Sequence, residues 1–340
     1  MTRPASTQPI ETHEPEVASS RKKHLRTALQ TLLHYGGSAL VLYFLFRLLP
    51  GRQVWRTLGL LPARLWVMVL AGYLAAHCIG VGKWRLMVNV AGAGLNVKQA
   101  ARCYFAGLFG SLFLPSLIGG DLVRAGLALR LGKSKAGVLL GSFLDRIIDF
   151  MALTLLAALG SLLVPGALDA RGRKIFLLLG AGALIVAAAI GSVIKLLPVG
   201  RFSFRIRRQF VRVRRAGQSM AKQPGAMLRA LSLAMVAQVV FIALNALLAK
   251  ACGLDLQFRV WLFAWPLAKL SAAVPITQGG IGVREAALAA LLLPFGAPAV
   301  LTVAAGLAWE AIVVSGALVA GTMSLLIGRV SGANEDSSQR

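Results

Sequence analysis

Long apolar stretches recur along this chain and alternate with short basic or polar segments. A transmembrane helix needs about 20 mostly apolar residues. The pattern predicts membrane spans over residues 28–46, 65–82, 137–164, 175–194, 230–249 and 299–328. Residues 1–27 are predicted to form a disordered, basic tail, and residues 329–340 a polar tail. We therefore expect an all-α polytopic membrane protein.

Two further apolar stretches, residues 103–118 and 261–276, are shorter, and each runs into a proline followed by a glycine pair. Segment 198–227 carries eight Lys or Arg residues and no acid. The positive-inside rule therefore places it in the cytoplasm, together with the basic N-terminus. Because an even number of crossings separates two cytoplasmic segments, residues 103–118 are predicted to enter the membrane and return. The prediction is six transmembrane helices plus two re-entrant hairpins in the inner membrane, with both termini cytoplasmic.

One sequence pattern occurs twice. P-x3-G-G-x2-V-R is found at Pro115–Arg124 and again 160 residues later at Pro275–Arg284. The chain thus divides into a first repeat half, residues 28–164, and a second, residues 175–328, which contains the basic loop 198–227. The two halves start from opposite sides of the membrane, which predicts an inverted repeat. Many secondary transporters have this plan and bind substrate at mid-membrane on broken helices.

Composition and charge support a membrane protein. Of 340 residues, 57% are hydrophobic and 14% charged, the mean hydropathy is +0.72, and no polar stretch could build a large aqueous catalytic domain. A net charge of +25 would suggest nucleic acid in a soluble protein, but beside these spans it indicates anionic lipids and membrane orientation. Cys78, Cys103 and Cys252 have no metal-ligand spacing. We expect membrane lipids as partners, and no nucleic acid, metal or cofactor.

The repeated motif has the chemistry of an anion site. Its proline ends the incoming helix, and its glycine pair permits a tight turn with positive φ and exposed N–H groups. A new helix then begins with an arginine one turn in, an arrangement that suits phosphate. The candidate residues for a phosphate group are Gly119, Gly120, Arg124, Gly279, Gly280 and Arg284, with Lys269 as a further cation. The alternative is a hairpin turn near the surface whose arginines reach the headgroups.

Acidic residues are scarce, and five of the twelve lie in predicted spans or beside the motifs. A charge there costs at least ~2.5 kcal/mol. With one arginine they form the candidate cavity or coupling set: Asp121, Asp145, Arg146, Asp149, Glu285 and Glu310. Asp145 and Asp149 share a helix face, and the repeat places Glu310 next to the counterpart of Asp149. The set either lines a polar cavity that couples protons or counter-ions to substrate movement, or locks helices together.

The basic loop has its own periodicity, because Phe202, Ile206, Phe210 and Val213 fall on one helical face. The candidate membrane-surface residues around that face are Arg205, Arg207, Arg208, Arg212, Arg214 and Arg215. The pattern suits an amphipathic helix on an anionic inner leaflet, and a simple topology anchor is the alternative.

Several blocks of the sequence resemble a known family. They are Lys83-Trp84-Arg85-Leu86, Tyr104-Phe105 through Phe113-Leu114-Pro115 to Gly119-Gly120-Asp121 and Arg124, Ser142 with Asp145-Arg146 and Asp149, and Pro275 with Gly279-Gly280-Ile281-Gly282-Val283-Arg284-Glu285. Over roughly residues 28–328 they are similar to the flippase-like membrane domain of lysylphosphatidylglycerol synthetases. The resemblance implies an inner-membrane protein that translocates a lipid or lipid-linked headgroup between leaflets. No segment matches the soluble aminoacyl-transferring domain, so we expect a stand-alone member without synthetase activity.

The functional expectation is a flippase-like transporter, not an enzyme. Its substrate would be an anionic or phosphate-bearing lipid, either a phospholipid or a polyprenyl-phosphate-linked one. No Asp-x-Asp site, histidine pair or metal-ligand cluster indicates catalysis in the chain itself. The alternative is a membrane subunit or scaffold of a lipid- or glycolipid-modifying enzyme, which would then be its partner.

Overall fold

The computed structural model describes residues 61–113, 119–164, 222–272 and 282–338, plus a few isolated positions at 56, 59, 211 and 217–219. Within these ranges all regular secondary structure is helical. The predicted spans 28–46 and 175–194 lie outside the described residues, as do Gly279, Gly280 and the six candidate surface arginines of the basic loop.

The described part of the chain contains eight α-helices. They are α1 (Ala63–Val90), α2 (Val97–Gly110), α3 (Gly119–Leu131), α4 (Lys135–Leu163), α5 (Pro224–Ala251), α6 (Phe258–Ser271), α7 (Val283–Leu292) and α8 (Ala299–Ser338), with a 3₁₀ turn (Leu293–Phe295) after α7. Helices α1, α4, α5 and α8 are long and apolar enough to cross a membrane. The predicted spans 65–82, 137–164, 230–249 and 299–328 are thereby confirmed as helices.

Local signals in the sequence fix several of the helix starts. Helix α1 follows Pro62, and α5 has Pro224 at its first position, where the missing N–H costs no helical hydrogen bond. Asn96 caps α2, since its side chain accepts from the Gln99 N–H while the Gln99 side chain accepts from the Asn96 N–H. Ser134 caps α4 by accepting from a backbone N–H of its first turn.

The first two helices of each half have the same design. Helices α1 and α5 have 28 residues each, α2 and α6 have 14 each, and each pair starts 161 residues apart. Two residues past the ends of α1 and α5 lie Gly92 and Gly253, both in left-handed backbone conformation with φ of +93° and +95°. In both, the next N–H donates to the carbonyl five residues back at 2.9 Å, which is a Schellman C-cap. The repeat therefore extends well beyond the ten-residue motif.

The two halves interlock through equivalent contacts. Helix α1 packs against α5, α2 of the first half packs against α8 of the second, and α6 of the second packs against α4 of the first. The last two contacts are equivalent, because α2 corresponds to α6 and α8 to α4 in the two halves. Small residues permit the close approach expected inside a membrane: Gly141 of α4 lies against the Val88 backbone of α1, and Gly160 of α4 lies against the Phe263 backbone of α6.

The prediction of a left-handed turn at the first glycine pair is wrong. Gly119 and Gly120 are the first helical residues of α3 and do not have positive φ. Their small size serves packing instead, because a Cβ atom on Gly107 of α2 would lie 2.7 Å from the Gly120 carbonyl oxygen. In the second half, Gly282 has positive φ (+85°) and α7 begins at the next residue.

Candidate functional site: a charged cavity between the two halves

A cavity of about 280 Å³ lies at the centre of the described helices, and all eight contribute to its wall. Seven charged side chains line it. The cations are Lys83, Arg124, Arg146, Lys269 and Arg284, and the carboxylates are Asp121 and Asp149. Charges buried among membrane helices are costly and mark substrate or ion pathways. The arrangement of these groups therefore decides what the cavity can bind.

Arg124 of α3 is held on two sides by carboxylates and on two by aromatic rings. Its guanidinium lies 3.0 Å from Asp121 and 3.4 Å from Asp145 of α4. The same group lies 4.9 Å from the ring centre of Trp84 and 5.1 Å from that of Tyr104, within the range of cation–π attraction. Only 3% of Arg124 is exposed, so its position is fixed by these four contacts.

Lys83 brings a cation from α1 to the acids of α4. Its ammonium lies 2.9 Å from an Asp145 oxygen and 2.6 Å from Asp149. Arg146, one residue beyond Asp145, pairs with Asp121 of α3 and lies 3.8 Å from Asp149. The result is a network of three cations and three carboxylates that joins α1, α3 and α4.

Arg284 of α7 repeats the arrangement of Arg124 in the second half. It pairs with Glu285 at 2.7 Å and with Glu310 of α8, and its guanidinium lies 5.3 Å from the Trp265 ring centre. Trp265 of α6 stands 161 residues after Tyr104 of α2, the offset of the helices that carry them. Each half thus has an arginine with one carboxylate on its own helix, one on the following long helix, and an aromatic ring from the preceding short helix.

This equivalence corrects the predicted counterpart of Glu310. In the structure Glu310 corresponds to Asp145, the α4 partner of Arg124, and not to Asp149. The 160-residue offset of the motif does not hold for α8, because the 3₁₀ turn Leu293–Phe295 and the residues after it lengthen the connection between α7 and α8. Arginine and carboxylate are 21 residues apart in the first half and 26 in the second.

Lys269 of α6 differs from the other cations in the wall. Its ammonium donates to Gln238 Oε1 at 3.0 Å and lies 5.0 Å from the Phe241 ring centre. Among the residues that the structure describes, no carboxylate lies within ion-pair distance of it, whereas Lys83, Arg124, Arg146 and Arg284 each have two.

Comparison with known proteins identifies the family. The family model "Lysylphosphatidylglycerol synthase TM region" matches residues 30–321. The chain belongs to this family. It is accordingly a membrane protein with a lipid-related role. No curated protein and no solved structure matches the chain.

The structure brings most of the sequence candidates together around the cavity. Gly120, Asp121, Arg124, Arg146, Asp149, Lys269 and Arg284 line the wall. Asp145, Glu285 and Glu310 lie behind it, paired with the wall cations, and Gly119 begins α3 beside Gly120. The two interpretations of the acids are therefore compatible, because the same ion pairs join helices and set the charge of the cavity.

Several site residues were missed as site candidates. Lys83 lies one residue beyond the predicted span 65–82, but α1 continues to Val90 and keeps it inside the bundle. Tyr104 and Trp265 could have been found by applying the 161-residue offset to aromatic positions. His77 and Gln238 form hydrogen bonds between helices, with Tyr104 and Lys269 respectively, and also line the cavity. Asn245 is fully buried, and its amide has no hydrogen-bond partner among the described residues.

Proposed function

We propose that this protein is an inner-membrane, flippase-like transporter that moves an anionic or phosphate-bearing lipid between leaflets. The lipid is a phospholipid or a polyprenyl-phosphate-linked molecule. The observation that carries the proposal is the cation-lined cavity built by both halves at the centre of apolar helices. Cations held inside a membrane bundle suit the phosphate of a lipid, which must itself be shielded while it crosses.

The proposed layout is six transmembrane helices with two re-entrant hairpins, arranged as an inverted repeat with both termini in the cytoplasm. Helices α2 and α6, with 14 residues each, are about 21 Å long and fall short of the ~30 Å hydrocarbon core. Each packs against the helix that follows it in the chain, as the two arms of a hairpin do. The reciprocal packing of the two halves supports the repeat.

In this proposal the substrate phosphate competes with the carboxylates for the two repeat arginines. Each repeat arginine is neutralised by two carboxylates while the cavity is empty, which meets part of the cost of burying it. A phosphate entering the cavity replaces some of those contacts with contacts to its own oxygens. The released carboxylates take up a proton or counter-ion, so the acids behind the wall couple to substrate movement.

The test is leaflet movement of labelled phosphatidylglycerol and polyprenyl phosphate in proteoliposomes that contain the pure protein. We expect accelerated movement of at least one lipid, and Arg124→Ala and Arg284→Ala each to slow it by about tenfold or more, the loss of a charge-assisted hydrogen bond. Arg229→Ala is the matched control, because Arg229 is an exposed cation on α5 whose Nε–H donates to the Gly225 carbonyl oxygen in its own helix. No acceleration of any lipid by an inserted, folded protein would overturn the proposal.

A second candidate has one observation in its favour, the family description itself, which names the membrane region of a synthase. The chain would then be a membrane subunit or scaffold for a lipid-modifying enzyme. Modified lipid formed only when a partner enzyme is added, together with an absence of lipid movement, would favour this role.

A further inference from the structure

We propose that Lys269 is the anchor for a single phosphate ester group, and that the cavity receives a compact headgroup while the lipid chains stay outside it. The inference rests on the proposed function for the identity of the lipid. It concerns binding at one end of the cavity and not movement, so it can be tested separately.

The first argument is how Lys269 is held. The Lys269 ammonium is held by two residues one turn apart on α5. It donates a 3.0 Å hydrogen bond to Gln238 and makes a cation–π contact with Phe241. A neutral amide and a ring position the cation, but no carboxylate of the described residues lies at ion-pair distance from it. An ammonium has three donors, and only one is used by Gln238. Lys269 is thus the wall cation that can accept an anion without first giving up a carboxylate.

The second argument is that the cavity wall contains hydrogen-bond donors without a partner. Four buried wall atoms have no partner among the described residues, and all four are donors: Arg124 Nε, Arg146 Nε, Arg284 Nε and Trp265 Nε1. An unsatisfied buried donor costs about 1–3 kcal/mol, so a ligand rich in acceptors gains most here. Trp265 and Lys269 lie four residues apart on one face of α6, and Arg284 lies over the Trp265 ring. The unpartnered side-chain atoms of the wall are thus donors and not acceptors, which favours an anion over a cation in the cavity.

The third argument is the asymmetry between the halves. The 161-residue offset that relates α2 to α6 pairs Lys269 with Leu108, and the same offset relates Gln238 to His77. All four residues line the cavity. The first half therefore offers an apolar side chain where the second offers a cation. Lys83 is the reverse case, since the same offset relates it to Leu244, but Lys83 is paired with two carboxylates. Lys269 has no such partner among the described residues, and this difference favours an anion at the Lys269 end of the cavity.

The fourth argument is size. A volume of about 280 Å³ lies at the lower end of the ~300–1,000 Å³ of drug-sized ligand sites. A glycerol phosphate or a group of similar size suits this space better than two acyl chains do. Exposed leucines and phenylalanines of the long helices, such as Leu155 and Leu159 of α4, leave the chains a hydrocarbon environment outside.

The experiment is calorimetric titration of the full-length protein in an uncharged detergent. The ligands are inorganic phosphate, glycerol 3-phosphate, glycerol as the phosphate-free control, and dihexanoyl phosphatidylglycerol as the lipid source of the same headgroup. Lys269→Gln removes the charge, Lys269→Arg keeps it, and Lys250→Gln is the matched control, because Lys250 is exposed and pairs with exposed Asp255 at 3.2 Å.

We expect glycerol 3-phosphate and the short-chain lipid to bind with affinities within a few-fold of each other, and glycerol not to bind. Lys269→Gln should weaken both phosphate ligands by about tenfold or more, Lys269→Arg by only a few-fold, and Lys250→Gln not at all. Unchanged affinity in a Lys269→Gln protein with wild-type elution and melting temperature would overturn the anchor. Binding of the lipid without binding of any soluble phosphate would overturn the headgroup-only site.

The two proposals fail separately in these measurements. A protein that binds phosphate esters through Lys269 and moves no lipid contradicts the proposed transport but supports the anchor. A protein that moves lipid equally fast with Lys269→Gln supports transport and contradicts the anchor.

Discussion

Lys83 does the most to hold together the charges of the first half. It comes from α1, a helix without acidic residues, and it is 3% exposed. Its ammonium bridges two carboxylates of α4, Asp145 at 2.9 Å and Asp149 at 2.6 Å. Removing one partner of a buried ion pair leaves an uncompensated charge, which destabilises a protein more than the pair itself stabilises it.

Lys83→Met should therefore lower the free energy of unfolding by about 3 kcal/mol. Thermal unfolding in detergent, followed by size-exclusion chromatography, measures the change. Lys250→Met, which breaks an exposed pair, should cost less than about 1 kcal/mol. If Asp149→Asn is added to Lys83→Met, part of the loss should return, since one stranded carboxylate is gone. Equal melting temperatures for Lys83→Met and Lys250→Met would contradict this role of Lys83.

At the residue scale, the sequence predicts the acids of the site better than its cations and aromatic residues. A carboxylate inside an apolar run is rare enough to stand out, as Asp145 and Glu310 do. Lys83 was not predicted as a site residue, because the end of an apolar stretch does not show where the helix itself ends. Tyr104 and Trp265 look like ordinary apolar residues until the fold places an arginine over each ring.

Helix packing depends on glycine at the places where backbones meet. Helices α2 and α3 touch at Gly107 and Gly120, where a Cβ on Gly107 would lie 2.7 Å from a carbonyl oxygen and 2.9 Å from the Arg124 Cβ. Neither neighbour is the movable end of a side chain. Any larger residue at position 107 must push the two helices apart and shift the arginine of the site.

Gly107→Ala should destabilise the protein by about 1–3 kcal/mol, the cost of overpacking, and should lower lipid movement with it. Gly126→Ala on α3 is the matched control, because no atom of the described residues lies within 4 Å of its added Cβ. Alanine there should be neutral or stabilise by up to about 1 kcal/mol through helix propensity. Melting temperatures of the two variants measure the contrast, and a Gly107→Ala protein as stable as the Gly126→Ala protein would refute the close-approach explanation.

At the element scale, hydrophobic length alone predicted the four long helices of the described ranges. It could not give the ends of these helices. Helix α1 extends eight residues past the predicted boundary at residue 82, to Val90, because its polar residues Arg85 and Asn89 donate hydrogen bonds to a carbonyl oxygen of the next loop. The glycine pair of the first motif was predicted as a turn and is helical. A sequence cannot separate a glycine needed for backbone torsion from one needed for contact, since both require the absence of a side chain.

For the whole molecule, the cavity is the place where the acids of the chain are concentrated. Ion pairs at the cavity involve four of the 37 cations but five of the 12 acids of the sequence. With Lys269 as the fifth cation of the wall, these described groups balance in charge, which suits burial in a membrane. Both halves supply one arginine with two carboxylates, and the halves are joined by the contacts of α1 with α5, α2 with α8 and α4 with α6. A substrate in the cavity therefore contacts both halves at once.

The central claim is that this cavity recognises the phosphate of a lipid and carries it between leaflets. The most direct test is the initial rate of leaflet movement, in proteoliposomes, of two labelled lipids with the same chains: phosphatidylglycerol and a neutral glycosyl diacylglycerol. The structure predicts that the protein accelerates movement of the phospholipid and leaves the neutral glycolipid at the rate of protein-free vesicles. Equal acceleration of the two lipids, or acceleration of neither, would contradict it.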